Sequence, residues 1–162
     1  MPFERRVSLP DEMTTTQLGR ALAGSLEPGD VFLLDGPIGA GKTHFVRSVI
    51  QARLERQNRI EDVPSPTYTL VQTYDDGTLE LWHADLYRLT SPEEVIELGL
   101  DEAFGTAVSF VEWPDRLGDL APPSACRLAF SYDGDGRQVV IQWDRVRLDE
   151  WMSSFAAETA ST

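Results

Sequence analysis

Eight consecutive residues, Gly36-Pro37-Ile38-Gly39-Ala40-Gly41-Lys42-Thr43, satisfy the spacing G-x-x-x-x-G-K-[ST] at every required position. Each residue type answers a need of a bound polyphosphate. The glycines Gly36, Gly39 and Gly41 adopt backbone angles that other residues resist and leave room for phosphate oxygens. Successive backbone N–H groups along the turn, those of Ile38 and Ala40 included, then point inward as an anion nest. The positive dipole end of a following helix adds to the attraction. Lys42 reaches the β- and γ-phosphates as a point charge, and the Thr43 hydroxyl is a ligand for Mg²⁺. Lys42 is the only lysine among 14 basic residues. A chain that otherwise uses arginine has a lysine at the one place where this motif needs it.

A Mg²⁺-nucleotide site also needs acids where strands of an open α/β sheet end. Two fit: Asp85, after Leu79 to Ala84, and Glu112, after the apolar run Val108 to Val111. One acid binds Mg²⁺ and the other orients or deprotonates the attacking water; residue types alone leave open which does which. Ser65, Thr67 and Tyr68 lie where a loop that senses the γ-phosphate belongs, or form a plain proline turn. Arg88 contacts phosphate or pairs with nearby acids. His83 reads as a packed or surface histidine rather than a base, because nothing in the sequence fixes its partner. Cys126 reads as a core filler.

The elements that must hold these residues follow from periodicity. Residues 14–27 form an amphipathic helix closed by Pro28-Gly29. Val31 to Leu34 is an apolar run suited to a strand buried on both faces. A second helix spans about 43–57, with Phe45, Val46, Val49, Ile50 and Leu54 on one face. Residues 67–74 and 78–84 form a hairpin about Asp75-Asp76-Gly77. Ser91-Pro92-Glu93-Glu94 starts a helix capped by the serine. Further strands cover 108–111, 127–132 and 138–143, and a last helix spans 148–155. Residues 156–162 are small and polar and are expected to be disordered. The fold expected is α/β: a three-layer P-loop NTPase sandwich with a central, mostly parallel sheet and added antiparallel strands, in a single domain over 1–155.

Composition narrows the partners. The 162 residues carry 27 acids, for a net charge of −13. Such a chain repels a nucleic-acid backbone unless its cations cluster, so strong direct RNA or DNA binding is not expected. The best cluster is Arg47, Arg53, Arg56 and Arg59, with Glu55, Glu61 and Asp62 interleaved. No apolar run reaches membrane-spanning length, and Met1 to Pro10 lacks the apolar core of a signal peptide. One cysteine permits no internal disulfide, which fits the cytoplasm.

Four blocks together resemble the TsaE (YjeE) family of tRNA threonylcarbamoyladenosine biosynthesis ATPases: Gly-Ala-Gly-Lys-Thr at 39–43, Ser-Pro-Thr-Tyr-Thr-Leu-Val at 65–71, His-x-Asp-Leu-Tyr-Arg-Leu at 83–89 and Val-Glu-Trp-Pro at 111–114. Weaker matches include Leu18-Gly19 and Gly136-Arg137, and the similarity runs over roughly 8–143. The resemblance implies a small ATPase acting with the TsaB and TsaD proteins, which attach threonylcarbamoyl to adenosine 37 of tRNAs reading ANN codons. Its implied part is to hydrolyse ATP and reset that complex. By position, Thr43 and Glu112 ligate Mg²⁺, Asp85 acts on the water or the γ-phosphate, and residues near Glu12 touch the adenine side. The chain departs from the family pattern at Pro37-Ile38, where Asp-Leu is usual, at His44, often a second threonine, and at Ala84, usually phenylalanine. Pro37 removes one N–H ahead of the donors nearest the phosphates, and binding is expected to survive.

A guanine-reading Asn-Lys-x-Asp motif cannot exist here, since the sole lysine is Lys42 and the sole asparagine is Asn58. A small-molecule kinase and a nucleotide-gated interaction module remain as alternatives. The kinase lacks a recognisable arginine-bearing lid.

Overall fold

The computed structural model describes residues 2–160. Strand β2 (Val31–Asp35) shows why the chain folds in layers. Its side chains alternate between two separate cores. Phe32 and Leu34 join Leu18, Leu22, Phe45, Val49 and Trp151 on one face, whereas Val31 and Leu33 join Val95, Leu100, Val111 and Leu117 on the other. Its first four residues are therefore all apolar, as a strand covered on both faces requires, and only the exposed Asp35 at its end is charged.

The remaining elements are β1 (Phe3–Leu9), α1 (Glu12–Ala23), α2 (Lys42–Glu55), β3 (Val71–Asp75), β4 (Glu80–Asp85), α3 (Glu93–Glu97), α4 (Leu100–Thr106), β5 (Val108–Glu112), a 3₁₀ segment (Pro114–Leu120), β6 (Cys126–Asp133), β7 (Gly136–Trp143) and α5 (Arg145–Ala160). Among the described residues seven strands form one sheet in the order β1-β7-β6-β2-β5-β4-β3. The central four, β6, β2, β5 and β4, run parallel; β3, β7 and β1 are added antiparallel. Helices α1, α2 and α5 pack on one another over one face, and α3 and α4 lie on the other side with the second core. This is the three-layer α/β sandwich expected.

Several boundaries differ from expectation. Strand β1 has no apolar run, because it is the sheet's edge and keeps Glu4, Arg5 and Arg6 in solvent. Helix α1 starts earlier than its apolar face suggests. Asp11 caps it, accepting from the Thr14 N–H at 2.9 Å and the Thr14 hydroxyl at 2.7 Å. Residues 67–70 are a turn rather than strand: Leu70 N–H donates to the Pro66 carbonyl at 2.7 Å, and Leu70 has φ 68°. Ser91 makes no side-chain cap for α3. Helix α5 is capped by Asp144 and runs to Ala160. Residues 156–160 are thus helical, not the disordered tail expected, while 161 and 162 lie outside the described residues.

Candidate functional site

The turn between β2 and α2 has the backbone its sequence demands. Gly36, Gly39 and Gly41 have φ of 139°, 81° and 107°, angles that L side chains rarely adopt. Gly36 also abuts β6, where a β-carbon would come within 2.5 Å of the Phe130 carbonyl oxygen. Gly41 occupies the N-cap position of α2 in the left-handed conformation, with no side chain to satisfy the first N–H groups of the helix. Those donors are the anion-seeking end of the element.

Lys42 follows at once. Its side chain is only 4% exposed. Its ammonium donates to the Gly36 carbonyl at 2.6 Å and lies 3.7 Å from the centroid of the Trp113 ring. Burial lowers the Lys42 pKa, and the neighbouring carboxylates of Glu112, Asp85, Asp35 and Asp115 oppose that shift. Trp113 reaches the lysine because it turns the chain with φ 60°, directly after β5.

The two acids come together through register. Asp85 at the end of β4 is the direct partner of Glu112 at the end of β5. Their odd–even phase puts both on the α2 side of the sheet, along with Leu81 and Phe110 of the same core. Thr43 Oγ1 donates to the Glu112 carboxylate, 2.9 Å from Oε1 and 3.0 Å from Oε2. Asp85 accepts the Tyr87 N–H at 3.0 Å and the Thr67 hydroxyl at 3.3 Å. Ser65 and Thr67 hydroxyls are 2.8 Å apart. The turn at 65–68 is therefore tied to one of the acids.

A cleft of about 540 Å³ collects these groups. Its walls include Ile38, Gly39, Gly41, Lys42, Thr43, Asp85 and Glu112, and Glu12 lies on the wall formed by the start of α1. Gly36 and Ala40 are not on that wall: Gly36 backs onto β6, and Ala40 is fully buried with its N–H donated to the Pro37 carbonyl at 3.2 Å, not turned into the cleft as expected. The donor set suits Mg²⁺, a hard cation that takes one or two protein oxygens alongside substrate phosphates. A hydroxyl and a carboxylate already in contact at the loop's end meet that description.

A family model described as Threonylcarbamoyl adenosine biosynthesis protein TsaE matches residues 9–139. The chain belongs to the TsaE family. A Rickettsia felis relative, "tRNA threonylcarbamoyladenosine biosynthesis protein TsaE", is 42% identical over 115 residues, 71% of this chain and 66% of its own length. A protein of the same name from Bacillus subtilis is 35% identical over 132 residues, covering 81% of this chain and 78% of its own. The chain thus spans slightly less than two thirds of the R. felis relative, and likewise 65% of one from Rickettsia conorii. The crystal structure of YdiB from B. subtilis superposes with a TM-score of 0.75 at 25% identity, over 98% of both chains.

Within this TsaE-family fold the structure adds contacts that the residue pattern did not indicate. His83 is wholly buried, and its Nε2 lies 2.6 Å from Glu112 Oε2. Its i, i+2 spacing from Asp85 on one strand was the available signal, since that spacing puts both on one face. Arg88 forms no ion pair among the described residues: its guanidinium stacks 4.6 Å from the Tyr68 ring, at the cleft wall. Cys126 is buried, and burial raises its thiol pKa well above the ordinary value, consistent with a packing role.

The arginine stripe on α2 is not an open cationic face. Arg53 is buried against Asp76 at 2.6 Å, and Arg47 donates to the Val63 carbonyl at 2.9 Å. Arg59 is engaged with the Asp75 carbonyl and Glu61. Spacing alone showed a shared face but not that Asp76 and the Val63 carbonyl engage Arg53 and Arg47, while Arg56 and Arg59, beyond the end of α2, stay exposed. Among the described residues no helix is long and apolar enough to cross a membrane.

Proposed function

We propose that this chain is a Mg²⁺-dependent ATPase that supports formation of threonylcarbamoyladenosine in tRNA, working in the cytoplasm with the TsaD and TsaB proteins. The observation that carries the reading is the convergence, on one cleft, of the loop with its buried Lys42, the Thr43–Glu112 pair and the Asp85 carboxylate. Family membership and the names of the relatives supply the tRNA-modification context.

In this reading the loop N–H groups and the start of α2 hold the phosphates. Lys42 balances charge that develops toward the β–γ bridging oxygen as the terminal P–O bond breaks. Thr43 and Glu112 would hold Mg²⁺, which when bound neutralises phosphate charge. Asp85 orients a water for in-line attack on the γ-phosphorus and accepts its proton, giving ADP and inorganic phosphate. Glu12 faces the nucleoside side of the cleft. Hydrolysis without an acceptor distinguishes this reading from a kinase.

The test is phosphate release from ATP and Mg²⁺ by the purified chain, alone and with the TsaD–TsaB pair. Slow release alone and faster release with the pair is expected; no release under either condition refutes the proposal. Direct tRNA affinity is expected to be weak at about 0.15 M salt, given the net charge of −13 and the engaged arginines of α2. Submicromolar binding in a titration with the chain alone would contradict that.

A further inference from the structure

We infer that the β6–β7 hairpin is a clamp on the phosphate-binding loop, with Tyr132 and Arg137 as positioning residues. The two face each other across the hairpin, as direct partners in the β6–β7 register. The Arg137 guanidinium lies 4.4 Å from the centroid of the Tyr132 ring, so each side chain limits the rotamers of the other. Their polar ends meet the loop at consecutive residues. The Tyr132 hydroxyl donates to the Ile38 carbonyl, and Arg137 Nε donates to the Gly39 carbonyl at 3.1 Å. A second guanidinium N–H returns to the Gly136 carbonyl at 3.0 Å and holds the side chain in place.

Peptide geometry gives these contacts a consequence for the anion site. In a planar trans peptide the carbonyl and the following N–H point in opposite directions. Tyr132 holds the Ile38 carbonyl toward the hairpin, so the Gly39 N–H faces away from it. The next peptide is tied at both ends: Arg137 takes the Gly39 carbonyl, and the Ala40 N–H donates to the Pro37 carbonyl at 3.2 Å. Glycine is needed at 39 for a further reason, since a β-carbon there would lie 3.1 Å from the Tyr132 hydroxyl. The loop is glycine-rich and would otherwise sample many peptide orientations. A nest is worth most when its donors are fixed before the anion arrives. Residues about a hundred positions downstream thus set the orientation of the phosphate donors, and the exposed turn at 133–135 is the handle of that clamp.

Arg137 also lines the cleft, so a direct contact between its charge and a phosphate is the competing role. Tyr132→Phe separates the two, because it removes a loop contact and no charge. The first readout needs no nucleotide: amide hydrogen exchange of residues 38–41 in Tyr132→Phe and Arg137→Ala. Loss of a clamp raises exchange at Ala40, whose N–H is bonded to the Pro37 carbonyl, by about fivefold or more in both variants. Unchanged exchange in both overturns the clamp, whatever the protein binds.

The second readout, which rests on the nucleotide reading above, is affinity for ATP, tripolyphosphate and adenosine. Both variants are expected to lose about five- to tenfold for ATP and tripolyphosphate alike, with adenosine unaffected. A loss confined to Arg137→Ala overturns the clamp in favour of direct charge. Failure of the parent protein to bind tripolyphosphate at all counts against the nucleotide reading, and hydrogen exchange then decides the clamp by itself.

Discussion

The hydroxyl of Thr43, at the start of α2, donates to both oxygens of the Glu112 carboxylate at the end of β5, at 2.9 and 3.0 Å. The two residues are 69 positions apart, and the parallel pairing of β2 with β5 is what closes that distance, since Leu34 and Glu112 are register partners. Two hard oxygen groups are thus brought together beside the glycine-rich turn.

If that pair holds Mg²⁺, Thr43→Ala and Glu112→Gln should act through the metal. Both should reduce ATP affinity in the presence of Mg²⁺ by at least about tenfold. Affinity measured with the metal chelated should change much less. Calorimetric titrations with and without Mg²⁺ make the comparison, and an equal loss under both conditions would remove these residues from the metal's shell.

Asp85 is held differently. It accepts from the Tyr87 N–H and the Thr67 hydroxyl, and its role is assigned to the attacking water. Asp85→Asn should lower turnover by about a hundredfold or more while leaving ATP affinity within a few-fold. Single-turnover hydrolysis beside equilibrium binding separates the two. A variant that loses affinity but keeps its rate constant would reverse the assignments of Asp85 and Glu112.

Trp113 lies over the ammonium of Lys42, whereas Trp143 and Trp151 are buried in the core to which α5 contributes, and Trp82 packs against the second core. Nucleotide that engages Lys42 alters the surroundings of this one indole. Trp113→Phe is expected to abolish most of any ATP-induced change in tryptophan emission. Survival of the full signal in that variant would place the nucleotide away from Lys42.

The buried pair Arg53–Asp76 makes a prediction about stability and pH. Burial would raise the Asp76 pKa, but hydrogen bonds from the Leu79 and Thr78 N–H groups, Arg53 and the Thr78 hydroxyl outweigh it, bringing the pKa from 3.8 down to about 2. A depressed folded-state pKa contributes stability that is present above the unfolded value, near 3.8, and is lost as pH falls through about 2. That contribution is about 2 kcal/mol. Asp76→Asn should therefore destabilise the protein by about 3 kcal/mol at neutral pH, since it also leaves Arg53 buried without its counter-charge. Denaturant melts of parent and variant should converge as pH falls from 4 towards 2, and a gap that stays constant over that range would contradict the assignment.

The glycine turn before α2, β2, α2 and the strand-end placement of Asp85 and Glu112 were legible because each depends on short-range rules: glycine spacing, an unbroken apolar run, and an acid at the end of a strand. The α/β layering followed from their alternation. Strand β1 was not legible, since an edge strand with Glu4, Arg5 and Arg6 lacks the apolar signal that marks buried strands. The partners of His83 and the coverage of Arg53 depend on register between distant strands, which local periodicity does not carry. The hairpin contacts of Tyr132 and Arg137 on the loop belong to the same class. Helix α5 extends past its expected end because residues 156–160, small and polar, offer no stop signal such as glycine or proline.

The most direct measurement is the rate of phosphate release from ATP and Mg²⁺ by the parent protein and by Lys42→Ala, each with the TsaD–TsaB pair. In the proposed function the ammonium of Lys42 acts on the β- and γ-phosphates, and in the structure it meets the Gly36 carbonyl and the Trp113 ring. The expected result is a loss of turnover by at least about a hundredfold, with an unchanged melting temperature to within a few degrees. Hydrolysis by Lys42→Ala at the parental rate would contradict the assignment of this cleft as the site of ATP hydrolysis.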